Sequence, residues 1–131
     1  MSKDNSLKVV HEDSLSEADL QKKVVQKLRI HGAIPILTDA VGPALHFITD
    51  KKKRLGFINF QKARGWDKGI PDLIVIWKSE VLFLELKFNS GKLSPEQIAW
   101  KNRLESNGYQ YACWRTLEEC NNWIVERLNK K

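Results

Sequence analysis

Cysteine is scarce in these 131 residues: only Cys113 and Cys120 occur, with no CxxC pair and no His/Cys cluster. His11, His31 and His46 lie in unlike surroundings, so a structural zinc site is excluded and any metal must be held by oxygen. Long apolar runs are missing as well. The longest, such as Leu73 to Trp77, are strand length and too short to cross a bilayer. The N-terminus, Met-Ser-Lys-Asp-Asn-Ser, lacks the basic start and apolar stretch of an export signal. These absences predict an intracellular protein, cytoplasmic or nucleoid-associated, with no membrane partner and with both thiols reduced in the core. Acid is locally missing too: between Lys51 and Lys68 only Asp67 stands against seven basic residues, Lys51, Lys52, Lys53, Arg54, Lys62, Arg64 and Lys68.

What is present is an ordinary globular composition, 42% hydrophobic and 29% charged, of a length that suits one domain. Residues 1–13 are polar and aperiodic and are expected to be a loose tail, with one domain over 14–131. The formal charge is +6, and the Lys51 to Lys68 segment accounts for all of it. A localised excess on an otherwise neutral domain is the footprint of a polyanion binder, although a solvated lysine-rich loop would look the same.

Leu20, Val24 and Leu28 recur at helical spacing, which predicts an amphipathic helix from Ser14 or Ser16 to about Ile30, ended by Gly32. Of the two short runs Ala33 to Thr38 and Leu45 to Thr49, at least one should be a strand, and Lys51 to Gln61 has room for a helical turn or two. Asp72 to Trp77 and Val81 to Phe88 are apolar at nearly every position, as in strands buried on both faces, and are close enough to form a hairpin. Ser94-Pro95-Glu96-Gln97 opens a helix through a capping box with proline at its first position, and Gly108 stops it. Tyr109 to Trp114 reads as a strand and Leu117 to Leu128 as a final helix. The fold class is therefore α/β: a mixed β-sheet with helices against its faces.

Three charges sit in the hairpin, where an unpaired buried ion costs several kcal/mol. Glu85 and Lys87 are two apart and share a face. If Ser79 and Glu80 form the turn, Asp72 lies opposite Lys87; a four-residue loop puts it opposite Glu85. Both registers bring the three groups to one side, within about 5 to 8 Å. Two carboxylates at that spacing suit a hard cation, Mg2+ or Mn2+, that keeps positions for phosphate oxygens, and an adjacent ammonium suits charge growing on a phosphorane-like transition state. That is the chemistry of phosphodiester hydrolysis. A structural ion pair gives the same spacing, so spacing alone leaves both readings open.

The context is more specific. Gly69-Ile70-Pro71-Asp72-Leu73, Phe83-Leu84-Glu85-Leu86-Lys87, Gly91-Lys92-Leu93-Ser94-Pro95-Glu96-Gln97, Trp100, Leu104 and Gly108-Tyr109 closely resemble the VRR-NUC family of the PD-(D/E)XK nuclease superfamily. With Ser16-Glu17, Leu20-Gln21 and Trp114-Arg115-Thr116-Leu117, the likeness spans about Ser16 to Leu128. It implies a restriction-endonuclease-like core and divalent-metal-dependent DNA cleavage. By the same resemblance Asp72 and Glu85 are metal ligands and Lys87 is catalytic, Gln97 is placed near the site, and Glu17 helps to bind metal. Capping boxes, Ser94 to Gln97 and Ser14 to Glu17, are alternative accounts of the last two.

The expected activity is thus a Mg2+- or Mn2+-dependent deoxyribonuclease acting on branched or structured DNA, four-way junctions included. The basic stretch grips phosphates, and analogy to junction-cleaving relatives suggests a homodimer. Two other classes fit the same residues, a non-catalytic nucleic-acid binder with a nuclease-like fold and a restriction-type endonuclease. One region, Ala44 to Asp50, departs from the pattern of single-domain members.

Overall fold

The structure, a computed structural model, describes residues 16–88 and 90–130, so the expected tail at 1–13 and its boundary lie outside the described residues. Ser16 caps the first helix, α1 (Glu17–Ile30), in a reciprocal box with Asp19: Asp19 N–H donates to Ser16 Oγ (3.3 Å) and Ser16 N–H to Asp19 Oδ2 (3.1 Å). Of the two expected starts the later is observed; the expected Ser14 to Glu17 box includes Ser14, which lies outside the described residues. Leu20, Val24 and Leu28 form the buried stripe.

The chain continues through β1 (Ile34–Leu37), a short helix α2 (Val41–Leu45), α3 (Lys51–Ala63), β2 (Leu73–Trp77), β3 (Glu80–Leu86), α4 (Pro95–Ser106), β4 (Gln110–Trp114) and α5 (Leu117–Leu128). Of the two short runs near residue 40, the first is the strand. The second is split between the end of α2 and a loop. The basic segment holds a 13-residue helix rather than one or two turns, capped by Asp50, whose side chain accepts from Lys53 N–H. None of its residues is buried, which explains why no apolar period announced it.

Four strands pair in the order β1-β2-β3-β4, the first three antiparallel and β4 parallel to β3, with α4 as the crossover. Leu73, Val75 and Trp77, with Leu82, Leu84, Leu86 and Trp114, project from one face of this sheet. They meet Leu20, Val24 and Leu28 of α1 and Cys120, Trp123 and Ile124 of α5, and this is the core. The other face is only partly covered. Ile74 and Phe83 are half-buried and Ile76 is 38% exposed, which corrects the expectation that both hairpin strands are buried on both sides. Cys120 belongs to the core as expected, whereas Cys113 is half-buried on the opposite face, paired in register with Glu85.

The hairpin turn is Lys78-Ser79, neither the Ser79-Glu80 turn nor the four-residue loop considered from the sequence, and both residues have positive φ (50° and 64°), as a two-residue primed turn requires. Neither is a residue that such turns prefer. Glu80 is drawn into the strand instead: Gln110 Nε2 donates to it at 2.7 Å and the buried Arg127 guanidinium at 3.2 Å. These partners, Gln110 first, hold its carboxyl below the usual range. In the resulting register Leu73 lies opposite Leu84, so Asp72 comes opposite Glu85, the second of the two registers open from the sequence.

Candidate active site

Asp72 sits at the start of β2, directly after the buried Pro71. Thr38, following β1, fastens this entry: its N–H donates to the Asp72 carbonyl (3.2 Å), and its hydroxyl reaches the carbonyls of Pro71 and Asp72. Gly69 allows the approach from the other side. Its φ is +88°, and a Cβ there would lie 2.6 Å from the carbonyl carbon of Glu96 in the first turn of α4. Only glycine meets both demands. The Asp72 side chain then turns onto β3, where Leu86 N–H donates to Oδ2 at 2.8 Å.

Glu85 is 3% exposed, a carboxylate in the least hydrated part of the uncovered face. Gln97 Nε2 donates to its Oε2 at 3.0 Å, while Gln97 Oε1 accepts from Ser94 N–H at 2.8 Å. The capping box and the site role of Gln97 are therefore one arrangement. The helix start orients the amide, and its remaining donors point to the acid. Glu85 Oε1 is buried and has no hydrogen-bond partner. The Asp72 and Glu85 carboxyls are near enough for each to influence the ionisation of the other. Burial first, then the Asp72 charge, pushes Glu85 up to about 9. Asp72 is also raised, by burial, against the lowering effect of Leu86 N–H.

Lys87 continues the strand line beyond β3 on the face of Glu85, anchored by its N–H to the Trp114 carbonyl (3.0 Å). Its positive charge favours the ionised forms of both acids, and none of the ion pairs found among the described residues uses it. Glu17 stands at the margin. Its Oε1 accepts from Phe88 N–H at 3.4 Å, and its charge is felt by both carboxyls. Among the described residues no three acidic, histidine or cysteine side chains converge as a metal cage, so the close pair is Asp72 and Glu85, with Glu17 outside it.

Two unlinked carboxylates would not be held against each other in a dry site without a cation or a proton between them. The orphaned Glu85 Oε1, all-oxygen donors and a register that faces the two acids together fit Mg2+ or Mn2+.

A family model for the VRR-NUC domain matches residues 16–116. The chain belongs to the VRR-NUC family. A solved VRR_NUC domain structure resembles this one with a TM-score of 0.59 at 18% identity, covering 83% of this chain and 94% of that chain, which supports the fold. Comparison with curated protein sequences gave no match. VRR-NUC is a nuclease-type domain, and nucleic acid is the partner that its cations suit. No helix among the described residues is long and apolar enough to cross a membrane.

In this VRR-NUC chain the seven cations of the Lys51 to Lys68 segment are spread over a cavity wall and an exposed helix. Arg54, Lys62 and Lys68 line a cavity of about 360 Å3 with Asp39, Ile58 and Trp66. Lys51, Lys52 and Lys53 form the exposed first turn of α3, and the Arg64 guanidinium lies 5.6 Å from the Phe60 ring centroid. Sequence reasoning missed Asp39, whose Oδ1 accepts from Val41 N–H, Gly42 N–H and Trp66 Nε1. It missed Arg103, stacked 4.5 Å over Trp100, and Tyr111, whose buried hydroxyl has no partner and whose phenol is pushed up by burial. The Asp39–Trp66 contact spans 27 residues and leaves no local signal, whereas Arg103 stands three residues from Trp100, a helical spacing that the sequence does show.

Proposed function

We propose that this protein is a divalent-metal-dependent endonuclease that hydrolyses phosphodiester bonds in branched or structured DNA. The observation that carries the reading is the facing pair Asp72 and Glu85, one oxygen of it buried without a partner, beside the Lys87 ammonium. Asp72 and Glu85 would hold Mg2+ or Mn2+, with Glu17 available from α1. When bound, such an ion polarises the scissile phosphate and lowers the pKa of a coordinated water.

The chain's own side chains do the rest. Gln97 and Leu86 N–H fix the two carboxylates by one hydrogen bond each, so their free lone pairs point into the site. Lys87 orients the attacking water and stabilises charge on the phosphorane-like transition state. The exposed cations of α3 and Lys68 grip phosphates, which confers affinity without sequence choice, so discrimination falls to substrate shape.

A homodimer is supported by a patch on the uncovered sheet face at the β1 edge, where Ile34, Ile36 and Ile76 are 55%, 42% and 38% exposed. Pairing of Ile34 with Ile76 makes the patch continuous.

The test is a cleavage panel on gapped, flapped, four-way and linear DNA with Mg2+ and Mn2+ varied, alongside Asp72→Ala and Lys87→Ala. Metal-dependent cleavage is expected of the wild type; it should vanish in Asp72→Ala and fall roughly 100- to 1,000-fold in Lys87→Ala, while DNA binding in Ca2+ persists in both. Intact DNA in every wild-type reaction would favour a non-catalytic binder, and cleavage confined to one base sequence a restriction-type enzyme.

A further inference from the structure

Beside the carboxylate pair lies a surface whose aromatic walls the proposed hydrolysis leaves without a role. The cavity lined by Arg54, Lys62, Trp66 and Lys68 adjoins a second cleft of about 320 Å3, lined by Lys62, Trp66, Asp67, Trp100 and Arg103. Lys62 and Trp66 line both. Each volume is at the lower end of small-ligand sites, roughly 300 to 1,000 Å3. The first cavity ends at Gly69, three residues before Asp72 and packed on the turn of α4 that carries Gln97.

The chemistry of these walls is specific. Trp66 Nε1 donates to Asp39 (3.1 Å) and Trp100 Nε1 to the Lys68 carbonyl (3.2 Å), so both indole donors are used inside the protein. What the rings have left to offer a ligand is a π surface. Trp77, Trp114 and Trp123, by contrast, are in the core. The Arg103 guanidinium lies over Trp100 and pairs with Asp67 at 3.6 Å, adding a planar cation to the floor. Lys62 is exposed, and none of the ion pairs among the described residues engages it. Aromatic faces alternating with cations along a groove are what a single strand of nucleic acid requires: stacking for unpaired bases, charge for the phosphates between them. Duplex DNA, its bases already stacked, has no use for the rings.

We infer that the two clefts form a track for unpaired nucleotides, Trp66 stacking a base and Lys62 neutralising the adjoining phosphate, next to the site of cleavage. This deepens the proposed function and rests on it for the identity of the polyanion, since it names the single-stranded part of the branched substrate.

The experiment compares binding of a blunt 20-base-pair duplex with that of the same duplex carrying a five-thymidine tail, both in EDTA so that metal-dependent cleavage does not intervene. The wild type should prefer the tailed duplex, with each stacked base contributing roughly 5- to 150-fold. Lys62→Glu and Trp66→Ala should collapse that ratio toward one, and Trp66→Phe, which keeps a ring but loses the bond to Asp39, should retain most of it. Lys62→Glu lies at an exposed position and decides the matter if Trp66→Ala fails to fold. A wild-type ratio of one, a ratio unchanged in Lys62→Glu, or Trp66→Phe behaving like Trp66→Ala would overturn the track. Because EDTA binding is independent of chemistry, a tail preference that needs Lys62 in a protein that cleaves nothing would sink the nuclease reading and leave the track standing.

Discussion

Glu85 carries most of the electrostatic tension in this molecule. Its pKa rises from the usual 4.5 to about 9, so the folded protein without metal keeps a proton that the unfolded chain releases across that interval. The native state then binds more protons than the unfolded state, and stability must fall as pH rises from about 4.5 to about 9. Thermal unfolding in EDTA should show this decline, and Glu85→Gln, which has no proton to lose, should flatten it. Mn2+ should reverse the decline by replacing the proton, with apparent affinity rising with pH, and calorimetry should detect the released proton. A melting curve insensitive to Mn2+ at pH 8 would contradict the assignment of the pair as ligands. Lys87→Ala should reduce cleavage roughly 100- to 1,000-fold, the range for loss of one group that stabilises transition-state charge, while leaving Mn2+ stabilisation in place.

Between residue and site stand the elements that set register and approach. Gly69→Ala puts a side chain at φ +88° and 2.6 Å from the backbone of α4, so β2 or α4 must shift. A loss of more than about 1 kcal/mol in urea unfolding is expected, and cleavage should drop as well, because the displaced turn carries Gln97. The hairpin offers the opposite test. Lys78→Asn with Ser79→Gly supplies residues that a primed turn prefers and should stabilise by up to about 1 kcal/mol without loss of activity.

These elements also show where sequence reading stops. The stripe of Leu20, Val24 and Leu28 and the Ser94 to Gln97 box were readable because helix period and cap chemistry are local. The hairpin register was legible only as a choice of two, because the decision depends on Arg127 and Gln110 holding Glu80, groups 47 and 30 residues away. Helix α3 escaped because a helix that buries no residue carries no apolar signature.

For the whole molecule, the local concentration of charge predicts salt dependence. Replacing Lys51, Lys52 and Lys53 by alanine should weaken DNA binding and reduce the slope of log affinity against log salt by up to about one unit for each phosphate left without its cation. An unchanged slope would assign that turn of α3 to solvation alone. Ile34→Lys with Ile36→Lys should convert the proposed dimer to a monomer in sedimentation velocity, since two exposed apolar positions of one edge strand become charged.

Residue order along the chain was enough to place Glu85 and Lys87 on one face of a hairpin with Asp72, because strand alternation acts over two residues and leaves its mark in adjacent letters, while the roles proposed for them rest on the likeness to the VRR-NUC family. The partnership of those groups was decided in three dimensions. Only folding set Asp72 against Glu85, turned Gln97 toward the acid that needed a donor, left one carboxylate oxygen without a partner, and brought Trp66 beside Trp100. Each of these depends on interactions between distant segments, whose energy no local pattern encodes.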